Sequence, residues 1–143
     1  REAKKRKIEM ILPEDIIVTK EFTEDAESFN VSIDSIEKDM IGMGIGNNTT
    51  KLFERKIDSA RTIFWNGPMG VFEVDRFSYG TTEIAKAVAA SRALSIVGGG
   101  DSVSALKKSG VDDKISHVST GGGASLELIA NETLPGLEAL AEK

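Results

Sequence analysis

Cysteine is absent from the 143 residues. That excludes a disulfide framework, a thiolate metal site and a cysteine nucleophile together. It also suits a reducing compartment. Histidine occurs once, as His117, with no obvious carboxylate partner, and a lone histidine of this kind is more often structural than catalytic. Proline is scarce, at three residues, and no apolar run approaches the length of a membrane span. No signal-peptide pattern opens the chain. The expectation is a soluble, cytoplasmic protein with no membrane partner.

What is present is ordinary in bulk and uneven in place. An apolar share of 40% and a charged share of 29% are globular values, and the length fits one compact domain. Five of the 18 basic residues (Arg1, Lys4, Lys5, Arg6, Lys7) fall in the first seven positions. The rest of the chain holds 13 basic and 22 acidic groups, a formal charge of −9. An acidic body argues against a nucleic-acid surface, which needs clustered lysine and arginine. The N-terminal cluster reads as the solvated face of a helix entered midway, since no N-cap precedes it.

Hydrophobic patterning divides the chain in two. IEMIL (8–12), DIIVTKEF (15–22) and NVSI (30–33) have the content of short strands, and MIGMGIGNNT (40–49), with three glycines, reads as a loop. TTKLFERKIDSA (49–60) has helical spacing. From residue 62 onward strand and helix alternate with short connections. TIFW (62–65), LSIV (94–97) and SHVS (116–119) are strands; 81–91, 101–110 and 124–130 are helices. That order is the signature of a parallel α/β sheet. An apolar tail, LPGLEALAEK (134–143), needs a surface to lie on.

Twice a strand runs into a glycine triplet and then a helix, in VGGGDS (97–102) and STGGGAS (119–125). Glycines let the backbone turn tightly and approach a ligand, and the following helix presents free N–H groups and the positive end of its dipole. In a parallel sheet these turns lie at the carboxyl ends of strands, where ligands bind. One triplet could merely close a turn; two favour a polyanion such as a nucleoside di- or triphosphate. Neither is a Walker A loop, because no Gly-Lys-Ser/Thr follows, and neither fits G-x-G-x-x-G. Asp101, directly after the first triplet, either caps the helix or holds Mg²⁺ beside bound phosphates. Ser102 either caps or donates to phosphate. WNGPMGVFE (65–73) is either a tight loop around a buried Trp65–Phe72 pair or a nucleoside pocket ending in Glu73. Periodicity and spacing therefore reach a phosphate-binding α/β domain and go no further.

WNGPMGVFE, VGGGDS, HVSTGGGASLEL (117–128) and LPGLEAL (134–140), in that order and spacing, resemble the motif set of the phosphoglycerate kinases. The similarity runs from about residue 8 to the end and is strongest over 61–138. It implies a Rossmann-like, three-layer α/β fold with a parallel sheet, here without the domain's leading strands. Residues 1–143 would be part of the C-terminal nucleotide-binding domain of a two-domain kinase, with the tail at 134–143 packing toward the N-terminal domain. The implied reaction is the glycolytic transfer of a phosphoryl group from 1,3-bisphosphoglycerate to ADP, giving 3-phosphoglycerate and MgATP. By motif, Asn66 and Pro68 would lie along the nucleotide, Val71 against its base and Glu73 on its ribose. Gly99, Gly100 and Ser102 would meet the phosphates, Asp101 the Mg²⁺, and the amides of Gly122 and Gly123 the group in flight.

Two departures stand out. Ser102 occupies a place where many members have threonine, which keeps the hydroxyl. In MIGMGIGNN (40–48), Ile41, Met43, Gly44 and Asn47 replace the family's methionine, leucine, aspartate and proline, though Met43 still suits an adenine pocket. The phosphoglycerate ligands and the lysines that reach the phosphates lie earlier in the family's sequence. The resemblance thus implies a fragment, inactive alone and at best a weak binder of MgADP. A catalytically silent nucleotide-binding or assembly module is the alternative. Open sheet edges and apolar patches favour self-association of such a fragment, whereas the whole enzyme is expected as a monomer.

Overall fold

A computed structural model describes residues 1–131 and 133–141. After a single helical turn, α1 (Glu2–Lys5), the chain forms β1 (Asp15–Thr19), β2 (Ser28–Ser32), β3 (Ile41–Ile45) and α2 (Asn47–Asp58). It continues with β4 (Thr62–Asn66), α3 (Tyr79–Ala90), β5 (Leu94–Gly98), α4 (Gly100–Ser109), β6 (His117–Ser119), α5 (Gly122–Asn131) and α6 (Pro135–Ala141). The expected tail is therefore helical as far as Ala141, and its last two residues lie outside the described ones. No helix among the described residues is long and apolar enough to cross a membrane.

Strands β4, β5 and β6 form the parallel sheet that the alternating pattern predicts, in sequential order. Residues of period two on one face, Trp65 from β4 and Val97 from β5, are buried against Ile84, Ala85 and Val88 of α3 and Leu106 of α4. Each such side chain is worth about 1.5–3 kcal/mol on removal from water. Helix α5 begins on the opposite face, where Gly98 lies between Phe64 and Gly122. The sheet is thus a middle layer between helices, as expected of an α/β fold.

Two expectations fail in the first part of the chain. IEMIL forms no strand: Ile8, Met10 and Leu12 are 58%, 70% and 67% exposed, and the segment is tied to α2 by a Lys56–Glu9 ion pair at 2.8 Å. Its alternating content is strand-like, but a strand exists only through a hydrogen-bonded neighbour, and none lies beside it among the described residues. Conversely, the glycine-rich stretch 40–49 is not a loop. Its first half is β3, the edge of an antiparallel sheet of order β2–β1–β3 that periodicity did not foretell. The pairing contains a bulge: Ile17 faces Gly44 and Val18 faces Gly42, leaving Met43 as the extra residue. The glycines answer to close packing here, since a Cβ on Gly70 would collide with the Gly44 backbone.

Asp15 holds this half together. It is 3% exposed, at the start of β1, and its carboxylate accepts from the amides of Asn48 (2.9 Å) and Thr49 (2.8 Å), the first turn of α2. The Thr49 hydroxyl (2.6 Å) and the Asn30 amide group of β2 (2.9 Å) complete its partners. Helix α2 has Gly46 as its N-cap, so its own cap residue supplies no side chain. A Cβ at Gly46 would fall on the Asp15 carboxyl group, which explains the glycine. A charge at a helix N-terminus with this many donors is a strong cap.

Burial alone would raise the Asp15 pKa, but the hydrogen bonds from Thr49, Asn30 and the two helix amides outweigh it and lower the pKa to about 2. A depressed carboxyl stabilises the fold above its unfolded pKa and loses that contribution as pH falls through the folded value. Stability of about 2 kcal/mol should therefore be lost between about pH 4 and pH 2. Asp15→Asn should cost at least that amount at pH 7, with the gap to wild type narrowing as pH falls from about 4 to about 2. Urea unfolding of both proteins across that range checks it.

Candidate nucleotide site

Parallel pairing aligns Asn66, Gly98 and Ser119 in one row across the carboxyl ends of β4, β5 and β6. Each strand then leaves the sheet through a different turn, and the three turns meet. The Gly99 amide donates to the Ser119 carbonyl at 3.1 Å, which ties the first glycine triplet to the end of β6. Gly99 has φ +94° and is the N-cap of α4, a conformation that disfavours any side chain. Gly122, at the start of α5, is buried against it. A Cβ there would lie 2.6 Å from Asn66 Oδ1 and 2.7 Å from the Gly99 Cα. The two triplets therefore pack backbone against backbone around the Asn66 side chain.

The remaining glycines of the triplets look outward. A Cβ on Gly100 or Gly123 would meet nothing within 4 Å, and both residues are exposed. The N-terminal turns of α4 and α5 thus open side by side at the carboxyl end of the sheet. The first-turn amides of a helix have no intrahelical acceptors and carry its positive partial charge. Gly122 itself is less available, since its amide donates to the Thr120 carbonyl at 3.2 Å.

Asp101 occupies the second helical position of α4 and is exposed; the cap is Gly99, so the capping role considered for Asp101 falls away. Its carboxylate is a hard oxygen donor beside a helix N-terminus. No group of three or more potential metal-ligating side chains exists among the described residues. Asp101 offers a single oxygen donor of the kind that Mg²⁺ accepts. Ser102 is fully buried, and its hydroxyl accepts from the Gly67 amide at 2.6 Å. The structure thus spends this side chain on the Asn66–Pro68 turn. Trp65 Nε1 donates to the Gly67 carbonyl at 2.6 Å and the Met69 amide to Thr81 Oγ1 at 3.0 Å, so the turn is held at three points.

Beyond that turn the chain meets β3. Val71 N–H donates to the Met43 carbonyl at 2.7 Å and Ile45 N–H to the Met69 carbonyl at 3.0 Å, around the Gly44–Gly70 contact. The bulge at Met43 re-aims the carbonyl for this bond. A shallow apolar cavity of about 310 Å³ results, lined by Pro13, Ile16, Met43, Gly44, Met69 and Val71. Val71 and Met43, named from the motifs, therefore share one slot. Glu73 follows as an exposed residue, while Trp65 and Phe72 are both buried, as a tight loop around an aromatic pair requires. Asn66, Gly99, Gly122 and Ser102 form one contact group, and Glu73 lies outside it, in a loop bonded by Lys108 of α4. Sequence reasoning passed over Lys108, which bonds the Glu73 loop, and Thr81; each reads as one more helical residue with no local signal.

A row of strand ends with two glycine-opened helices places the chain among α/β proteins with a parallel sheet. Comparison with known proteins narrows this. The family model for phosphoglycerate kinase matches residues 1–132. The phosphoglycerate kinase of Finegoldia magna is 49% identical over 141 residues, covering 99% of this chain and 36% of the relative. That of Rubrobacter xylanophilus is 51% identical over 134 residues, covering 94% of this chain and 34% of the relative. Among solved structures, the phosphoglycerate kinase of Coxiella burnetii superposes with a TM-score of 0.89 at 42% identity, over 96% of this chain and 35% of that one. The enzyme of Pyrococcus horikoshii gives 0.76 at 39% identity, over 90% and 32%. The chain belongs to the phosphoglycerate kinase family, and it spans about a third of the length of the curated relatives it matches.

The contact at Gly122 yields a contrast between neighbours. Gly122→Ala forces a methyl group into Asn66 and Gly99 and should destabilise by about 1–3 kcal/mol or more. Gly123→Ala enters open space and should leave stability within about 0.5 kcal/mol of wild type. Thermal melting of the two variants checks the difference.

Proposed function

We propose that this chain forms the nucleotide side of a phosphoglycerate kinase, the C-terminal domain of a two-domain phosphotransferase. It would bind ADP or ATP with Mg²⁺ while phosphoryl transfer links 1,3-bisphosphoglycerate and 3-phosphoglycerate in glycolysis. The observation that carries the reading is the junction of α4 and α5 at Gly99 and Gly122, which brings both helix N-termini together at the carboxyl ends of the parallel strands. Family membership supports the same reading. The acidic balance of residues 8–143 does not suit a bisphosphoglycerate cleft, so we assign that substrate to the other domain. A monomer in the cytoplasm is the state proposed for the whole protein.

In this reading the purine lies in the slot against Val71 and Met43, and Glu73 accepts from the ribose hydroxyls. Asn66 and Pro68 line the path to the phosphates, which meet the amides of Gly99 and Gly100. Ser102 acts by fixing the turn at Gly67. Asp101 would hold Mg²⁺, which neutralises charge on the β- and γ-oxygens when bound. The N-terminal turn of α5, with Gly123 outermost, aims its amides at the phosphoryl group as charge spreads over its oxygens. Phosphoryl transfer asks mainly for positioning and charge stabilisation, and donors fixed by a helix need no reorganisation. Loss of one such donor commonly costs about 10²–10³ in rate.

Calorimetric titration of the intact protein tests this. MgADP should bind more tightly than ADP in EDTA, and Asp101→Asn should remove most of that Mg²⁺-dependent gain, about tenfold, while leaving metal-free ADP binding unchanged. Absence of MgADP binding at millimolar nucleotide would reject the reading.

A further inference from the structure

Lys108 is a residue to which the motifs assign no role. It stands in the last turn of α4, and its ammonium group meets three acceptors of one loop: the carbonyls of Phe72 and Glu73, both at 2.9 Å, and Asp75 Oδ1 at 2.6 Å. A lysine has three donors, so all of them are spent on residues 72–75. The bond to Asp75 is strong enough to lower that carboxyl's pKa, although Asp75 lies in solvent. The two carbonyls bracket the Cα of Glu73, one belonging to the peptide before it and one to the peptide after it. Fixing both sets the direction in which the Glu73 side chain leaves the loop, while the carboxylate itself stays exposed. Phe72, buried next to it, anchors the other side of the same peptide.

Helix α4 has the glycine triplet and Asp101 at its other end. Lys108 lies seven residue steps along the helix from Asp101, a rise of about 10 Å. One rigid element thus spans from the phosphate end of the site to the loop that presents Glu73.

We propose that Lys108 is a positioning residue for Glu73, setting the ribose contact at a fixed distance from the phosphate-binding end of α4. The proposal rests on the nucleotide reading above. Lys108 touches no nucleotide atom in this arrangement; it acts through the loop. Its removal should weaken nucleotide binding only insofar as binding uses the ribose hydroxyls.

The probes are ADP and 2′,3′-dideoxy-ADP, titrated with Mg²⁺ into the intact protein, and the readout is the ratio of their dissociation constants. Glu73→Ala should bring the ratio close to one. Lys108→Met should lower it at least threefold with little change in the affinity for the dideoxy nucleotide, and Lys108→Arg, which keeps charge and donors, should restore part of it. The double variant Glu73→Ala/Lys108→Met should match Glu73→Ala alone. A ratio unchanged by Lys108→Met, beside a collapse in Glu73→Ala, overturns the positioning role and leaves the nucleotide reading standing. A ratio unchanged in Glu73→Ala overturns the ribose assignment, and this proposal with it. Equal weakening of both nucleotides by Lys108→Met would show a merely structural lysine and also overturn the role. If Lys108→Met does not fold, Lys108→Gln decides, because its shorter, neutral side chain cannot hold all three acceptors. A lowered ratio there supports the proposal and an unchanged one rejects it.

Discussion

Backbone contact between Gly99 and Gly122, with the Asn66 side chain beside it, is the constraint on which the site depends. Helices α4 and α5 can open side by side only because neither triplet has a Cβ at the point of approach. The same contact joins the ends of β4, β5 and β6, because Asn66 ends one strand, Gly99 follows another and Gly99 N–H bonds to the Ser119 carbonyl of the third. Two helix dipoles pointing positive ends at one place repel each other mildly. An anion between them removes that cost, so the geometry that packs the fold also favours the ligand.

A second close approach, Gly44 against Gly70, attaches the antiparallel sheet to this platform. Here the bulge at Met43 matters more than the glycines themselves. Without an extra residue in β3, the carbonyl that receives Val71 N–H would remain in the β1 ladder. The apolar slot exists because a strand from one sheet and a turn from the other exchange two backbone hydrogen bonds. Asp15, at the far end of β1, sets the start of α2 and so the frame in which β3 lies. A buried charge with few partners would be a liability; this one is saturated by donors from two segments of chain, β2 and the first turn of α2.

Burial is unequal across the molecule. Trp65, Val97, Leu106 and Ile84 form a continuous core under the parallel sheet. Leu126, Leu128, Ile129, Leu137 and Leu140, on α5 and α6, are all largely exposed. Those side chains have the apolar spacing of helices made to be covered. The N-terminal end of α5 is therefore held at its first residue, Gly122, rather than along its length.

Much of the parallel half was legible in the residues. Alternating strand and helix over 62–131, and the meeting of each glycine triplet with a helix start, follow from local periodicity and from the conformational freedom of glycine, both of which short windows of sequence express. The two glycine triplets and Asp101 were singled out this way, whereas the roles of Asn66, Gly122 and Gly123, and the family itself, rested on the resemblance of whole motifs. Pairing partners were not legible. IEMIL has strand content and no neighbour, MIGMGIG has loop content and a neighbour on each side, and the difference lies in segments distant along the chain. Ser102 and Lys108 differ from other helical residues only in what faces them, Gly67 in one case and the carbonyls of Phe72 and Glu73 in the other. Sequence by itself determined where the backbone can turn and which helices begin at glycine. Tertiary structure alone decided which turns meet and which polar groups are consumed in holding them, because hydrogen bonds and close approaches between remote segments have no local signature.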